Sequence, residues 1–265
     1  RRMIKSNERL CMPAFPEDMF VEAVKELVKV EKDWVPSEPG TSLYIRPFMF
    51  ATESALGVHM ASKYKFMVIC CPVGAYYAEG INPVKILVED ELVRAVQGGT
   101  GFTKCGGNYA GSILGQVKAE KMGCTQVLWL DGVHRKYVEE VGTMNIMFKI
   151  GGEIYTAPIE GTVLPGVTRD SIIHILKDWG YKVNETHLAV DDLMKAGHDG
   201  TLEEAFGTGT AAVISPVGEF VYKDDIVKVN NFEIGKLTQK LYDYLTGIQW
   251  GDVEDKYGWT VDINA

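Results

Sequence analysis

The sequence predicts an α+β protein, and three observations carry that expectation. Helical and strand-like segments are mixed along the chain without the strict βαβ alternation that a doubly wound sheet requires. Apolar residues recur at helical spacing in some windows, and β-rich runs bounded by Gly or Pro stand in others. The 265 residues are 46% hydrophobic and 24% charged with no biased tract, enough to bury the core of one large domain or two modest ones.

In chain order, residues 16–34 read as a helix, because Phe20, Val24, Leu27, Val28 and Glu31 follow the i, i+4, i+7, i+8 spacing and Pro36 lies just beyond. Residues 41–50 and 65–71 read as strands. Pro72, Gly74, Gly80 and Pro83 then break the pattern, so the expected organisation is a small domain over 1–72, a linker over 73–83 and a large domain over 84–265. A strand at 84–88 opens the second half. Residues 109–122 read as a helix with Ile113, Leu114 and Val117 on its packed face and Gly123 as its stop. Strands follow at 125–130, 143–150 and 153–157, the last two joined by Gly151-Gly152. A helix at 168–179, a strand at 181–188, a helix at 190–196, a strand at 209–215 and a closing helix at 232–245, with Leu237, Leu241 and Leu245 in register, complete the reading.

Composition excludes several classes. A net charge of −9 with no basic run argues against nucleic-acid binding, although local arginines and backbone amides still suit small anions. No apolar run approaches the roughly 18–20 residues of a membrane span, Phe66-Met67-Val68-Ile69-Cys70-Cys71 being the nearest. The start, Arg1-Arg2-Met3-Ile4-Lys5-Ser6, is not a signal peptide. Five cysteines without repeated spacing fit a reducing cytosol, with Cys70 and Cys71 expected as buried small hydrophobes. The five histidines show no metal-ligand spacing, His174 reads as structural, and no metal site is expected.

The window Thr100-Gly101-Phe102-Thr103-Lys104-Cys105-Gly106-Gly107-Asn108-Tyr109 sets one lysine among glycines ahead of a helix. An amine that forms a Schiff base must be presented without crowding, which glycines permit. A phosphate loop is excluded, since Thr103 and Cys105 flank the lysine where Gly and Ser/Thr would be needed. By itself the window favours a surface lysine on a Gly-rich turn. Three further windows suit a ring and its phosphate. Leu164-Pro165-Gly166-Val167-Thr168-Arg169 opens a helix that Thr168 can cap, and free amides there suit a phosphate. Gly207-Thr208-Gly209-Thr210-Ala211-Ala212 offers amides and hydroxyls. Glu139-Glu140 precedes an apolar strand, so that one glutamate can be drawn in toward a protonated ring nitrogen. An ordinary N-cap, a tight turn and a solvated acidic loop are the respective alternatives.

Together these windows, with Glu-Val-Gly-Thr-Met-Asn at 140–145, Ser42-Leu43-Tyr44-Ile45-Arg46-Pro47, Ala55-Leu56-Gly57-Val58 and Cys71-Pro72-Val73-Gly74-Ala75-Tyr76, resemble the branched-chain-amino-acid aminotransferases, which are pyridoxal-phosphate enzymes of fold type IV. The resemblance spans nearly the whole chain. It implies the remainder of a small α/β N-terminal domain, a large mixed sheet-and-helix (pseudo-barrel) domain, and amino transfer from leucine, isoleucine or valine to 2-oxoglutarate. The cofactor implied is pyridoxal 5′-phosphate. Lys104 would be its Schiff-base lysine and proton carrier, Glu140 would face its ring nitrogen, and Tyr109 would donate to its phenolate oxygen. Arg2, the amides of Val167 and Thr168, and Thr210 would hold the phosphate. Tyr44 and Arg46 would meet glutamate's distal carboxylate, the Thr210 and Ala211 region the α-carboxylate, and Thr143 would line the pocket. Leu56 and Val58 would cross to a second subunit, implying a homodimer in the cytoplasm.

D-amino-acid aminotransferases and aminodeoxychorismate lyases of the same fold are the nearest alternatives, and the Tyr44–Arg46 pair favours the branched-chain reading. By the resemblance the chain begins inside the family's first helix, which implies a piece of a longer protein or a truncated, non-catalytic relative. Ala212 and Ser215 stand where animal members carry a redox Cys-x-x-Cys pair, so that switch is expected to be absent and a microbial origin is implied.

Overall fold

The computed structural model describes residues 1–74 and 81–263. The chain divides into two compact units, Arg1–Ala78 with Tyr257–Ala265, and Glu79–Lys256. Of the linker expected over 73–83, residues 75–80 lie outside the described residues. The closing segment from Tyr257 groups with the first unit, not with the second where the sequence reading put it. It has no helical or strand periodicity to signal which core it joins, and within it Tyr257 stacks on Trp259 at 4.2 Å.

The first unit holds helices α1 (Arg2–Arg9) and α2 (Glu17–Val30) and the antiparallel strands β1 (Ser42–Ala51) and β2 (Tyr64–Val73). Pro16 precedes α2, whose first turn carries Glu17 and Asp18, the sign that a helix N-terminus favours. Phe15 and Phe20 pack on Phe66, with ring centroids 3.8 and 5.7 Å away. Strand alternation sets Phe66, Val68 and Cys70 on the better-covered face of β2 and turns Met67, Ile69 and Cys71 outward. Cys71 is therefore exposed, against the expectation that both cysteines would be buried.

The second unit runs β3 (Val84–Glu89), α3 (Gly106–Lys121), β4 (Gln126–Leu130), β5 (Val138–Val141), β6 (Met144–Ile150), β7 (Glu153–Thr156), α4 (Val167–Asp178), β8 (Val183–Glu185), α5 (Val190–His198), β9 (Leu202–Gly209), β10 (Val213–Tyr222), β11 (Asp225–Lys228) and α6 (Lys236–Trp250). Its strands form one mixed sheet. The pairings β10–β3–β4–β5–β6–β9 return to β10, so six strands close a ring, the expected pseudo-barrel. Strand β3 runs parallel to both β4 and β10, and most other neighbours are antiparallel. Ile86, Leu128, Trp129, Ile146, Phe148, Phe206, Ile214 and Phe220 are buried in the strands, while Ile172, Ile175 and Leu176 of α4 and Leu237, Leu241 and Leu245 of α6 are buried against them.

The elements differ from the sequence reading at several points, and β5 and β11 have no counterpart in it. The strand expected at 209–215 is the tip of a hairpin, with β9 and β10 running away on either side. Strand β9 is buried at nearly every position, so it has none of the alternation that marks a half-buried strand. In α3 the expected core face is exposed: Ile113 is 61% and Leu114 64% accessible. The buried side carries Gly115 and Ala119, because a Cβ at Gly115 would sit 2.5 Å from the ring of Trp129. Helix α6 starts at Lys236, not at 232, where buried Glu204 accepts the amides of Leu237 and Thr238 at 3.0 and 2.8 Å. No helix among the described residues is long and apolar enough to cross a membrane, and no cluster among them could hold a metal. His174 is exposed on α4, 2.8 Å from the Asp170 carbonyl.

Candidate active site

Lys104 stands just ahead of α3, in the loop that leaves β3. Asn108, in the first turn of α3, pins that loop: its Nδ2 donates to the carbonyls of Thr100 and Thr103, each at 2.8 Å, and its Oδ1 accepts from Thr100 Oγ1 at 2.8 Å. Steric need falls on Gly101, not on the glycines after the lysine. A Cβ at Gly101 would lie 2.3 Å from the Thr162 carbonyl oxygen and 2.5 Å from Ala95 Cβ, whereas one at Gly106 or Gly107 meets nothing within 4 Å. Gly101→Ala is therefore expected to cost about 1–3 kcal/mol through overpacking against backbone. The urea midpoint of the purified variant checks this, and Gly106→Ala provides the mild comparison.

The Lys104 Nζ donates to Tyr109 Oη at 2.7 Å and lies 5.4 Å from the centroid of that ring. Five residues along the chain separate the pair, so the start of the helix itself places the phenol beside the amine. Lys104, Tyr109, Glu140 and Thr143 line one cleft, together with Arg94 and Leu164.

Glu140 lies on β5 and pairs across the Gly142-Thr143 turn with Asn145 on β6. Gly142 turns with φ +56°, and a Cβ there would strike the Gln126 side chain at 1.9 Å. Glu140 is 4% exposed. Its Oε1 accepts from Asn145 Nδ2 at 2.9 Å and from the Leu164 amide at 3.0 Å, and its Oε2 is 2.9 Å from Arg94 Nε in a buried ion pair. Burial pushes its carboxyl up to about 7, against the opposing pull of the Arg94 charge and the Leu164 amide. Glu139 is buried too, where the sequence reading drew in only one of the pair. It accepts from Thr162 Oγ1 at 2.6 Å, and burial raises its carboxyl as well.

Val167 and Thr168 are the first residues of α4, whose N-cap is Gly166. Thr168 is thus inside the helix and does not cap it, and no side chain hydrogen-bonds at the cap. Helix geometry still leaves the first-turn amides without intrahelical acceptors. A Cβ at Gly166 would lie 2.0 Å from Asn145 Oδ1, so the cap packs directly against the residue that holds Glu140.

Thr210 and Ala211 are exposed in the β9–β10 turn and do not line the cleft. The ladder itself reaches Thr208, two residues before Thr210: Glu140 pairs with Asn145 and Asn145 with Thr208. In the first unit, Arg2 opens α1, and Arg46 Nη2 donates to Tyr44 Oη at 3.0 Å on one face of β1. Leu56 and Val58 are fully exposed in the β1–β2 loop.

Sequence reasoning missed Arg94, Asn145 and the amide of Leu164. Asn145 was within reach of it, because a tight turn after Val141 brings the residue five beyond Glu140 alongside it. Arg94 had no local signal, since its partner is far away in sequence.

The class IV amino-transferase family model matches residues 1–220 of the chain. The chain is 55% identical over 264 residues to branched-chain-amino-acid aminotransferase 2 of Bacillus subtilis (strain 168), an alignment that takes in 100% of this chain and 73% of that protein. The branched-chain amino acid aminotransferase of Escherichia coli superimposes with a TM-score of 0.80 at 27% identity, covering 98% of this chain and 80% of that one. The T.th. branched-chain amino acid aminotransferase, solved with pyridoxamine 5′-phosphate, gives a TM-score of 0.83 at 29% identity over 99% of this chain and 81% of that one. Fold and sequence agree along almost the whole length, and the chain belongs to the class IV aminotransferases, among the branched-chain-amino-acid aminotransferases.

Proposed function

We propose that the protein transfers the amino group of L-leucine, L-isoleucine or L-valine to 2-oxoglutarate with pyridoxal 5′-phosphate bound at Lys104. The observation that carries this reading is the convergence of Lys104, Tyr109 and Glu140 on one cleft. The donor set suits that cofactor: a primary amine for its carbonyl carbon, a phenol beside the amine, a buried carboxylate for a protonated ring nitrogen, and a helix N-terminus for its phosphate. When bound, the cofactor supplies a carbonyl carbon that exchanges amines and a ring that withdraws electrons.

Lys104 Nζ would carry the proton between the substrate α-carbon and the cofactor's carbonyl carbon on the other side of the shared nitrogen, and the 2.7 Å contact with Tyr109 Oη steadies the amine. Glu140 opposes the positive charge of the ring nitrogen in a water-poor setting, where a carboxylate acts strongly. The amides of Val167 and Thr168, the Thr210 hydroxyl and Arg2 hold the phosphate. Tyr44 and Arg46 receive the distal carboxylate of glutamate, Thr210 and Ala211 receive the α-carboxylate, and Thr143 lines the apolar pocket. Leu56 and Val58, fully exposed in a single chain, close that pocket from a second copy in a homodimer.

Initial rates with L-leucine, D-alanine and aminodeoxychorismate test the substrate class. L-leucine is expected to turn over, and activity on D-alanine alone overturns the reading. Borohydride reduction followed by peptide mapping tests the lysine: the cofactor is expected on the peptide containing Lys104, and attachment elsewhere removes that assignment.

A further inference from the structure

We infer that Arg94 is a positioning residue, which holds Glu140 and the strand-to-helix connection at 162–166 as one piece and sets the charge of the carboxylate that faces the cleft. The inference rests on the proposed cofactor reading for its purpose but on this chain's own contacts for its argument. Arg94 and Glu140 are 7% and 5% exposed at the side chain, with Nε and Oε2 2.9 Å apart. Arg94 Nη2 donates to the Thr162 carbonyl, and Thr162 Oγ1 donates to Glu139. Two residues on, the Leu164 amide donates to Glu140 Oε1, and the Leu164 carbonyl accepts from Asn145 Nδ2 at 2.9 Å. Two residues beyond Leu164 stands Gly166, the N-cap of α4. One guanidinium thus joins the carboxylate to the segment that delivers the α4 amides.

The lone pairs add a second argument. A carboxylate oxygen accepts about two hydrogen bonds. Oε1 of Glu140 already has two donors, so the acceptor capacity left for a ligand in the cleft is on Oε2, the oxygen beside Arg94. Arg94 therefore orients that oxygen and offsets its charge. The charged groups acting on Glu140 are Arg94 from the β3–α3 loop, Glu139 from its own strand and Lys104 from ahead of α3. The arginine favours the ionised carboxylate and Glu139 opposes it.

The test reads the carboxyl stretch of Glu140 by difference infrared titration of the full chain without cofactor, with Glu140→Gln assigning the band. Arg94→Met is expected to move the midpoint upward by at least one pH unit, so that Glu140 stays protonated at neutral pH, whereas Arg94→Lys stays near wild type. Pyridoxal 5′-phosphate affinity at pH 7 is expected to fall at least tenfold in Arg94→Met and to recover in Arg94→Lys. Should Arg94→Met fail to fold, Arg94→Gln serves, because it removes the charge while keeping one polar amide donor in the buried site. An unshifted midpoint in a folded Met or Gln variant overturns the inference. Failure of the wild-type chain to bind pyridoxal 5′-phosphate sinks the functional reading alone, because the titration is read without it.

Discussion

Lys104→Ala is expected to lower kcat by about 10⁴-fold, the upper end of what one positioned acid–base group contributes. The amine is the basic group that meets both Tyr109 and the cleft, and nothing else among the described lining residues presents a primary amine there. Lys104→Arg is expected to fail nearly as badly, since a guanidinium stays protonated at any working pH and cannot take a proton. Neither variant is expected to change stability by more than about 0.5 kcal/mol, because Lys104 is exposed and its loop is held by Asn108 instead. Steady-state rates and denaturant midpoints on the same preparations separate the two effects. A small primary amine added to Lys104→Ala is expected to restore part of the rate, and a variant that keeps more than about a hundredth of wild-type activity would remove Lys104 from the proton transfer.

Glu140→Gln is expected to lower kcat by about 10²–10³-fold, the scale of one preorganised electrostatic contact, while changing the pH dependence of stability. Burial raises the carboxyl from its ordinary 4.5 to about 7. In that interval the folded protein keeps a proton that the unfolded chain has released, so stability is lost as pH rises from 4.5 toward 7. A shift of this size corresponds to roughly 3 kcal/mol at about 1.4 kcal/mol per unit. Glutamine cannot ionise, so the cofactor-free variant is expected to lack this decline and to match or exceed wild type at pH 8. It also leaves Arg94 without its counter-charge, which for a buried pair costs a few kcal/mol. That penalty is already present in wild type at low pH, when Glu140 is neutral, so it shifts both profiles at pH 5 alike. Urea unfolding at pH 5, 6, 7 and 8 decides the matter, and parallel profiles for the two proteins would contradict it.

The windows around Lys104 and Glu140 stand out in the sequence, because glycines, hydroxyls and a carboxylate pair interrupt otherwise regular patterns there. Singly they read as a surface lysine on a turn and a solvated acidic loop, and only their order along the chain, through the resemblance, joined them in one proposed site. Helix α2, with its apolar stripe, and the β6–β7 hairpin, with its Gly151-Gly152 turn, were legible for a local reason. Strand β9 was not, since burial on both sides removes the alternation that identifies a strand. The packed side of α3 was misread because its core contact is made by absence: Gly115 has no side chain, which lets Trp129 approach.

The sequence by itself determined the class of fold, the order of the site windows and the residues in them, because each is a property of neighbours along the chain. Only the tertiary structure decided the charge and orientation of Glu140. Its carboxyl rises because the closed ring of strands removes water from it, and it is aimed by Arg94, Asn145 and the Leu164 amide, which reach it from three other segments. Desolvation and long-range pairing belong to the folded chain, and no window of the sequence contains them.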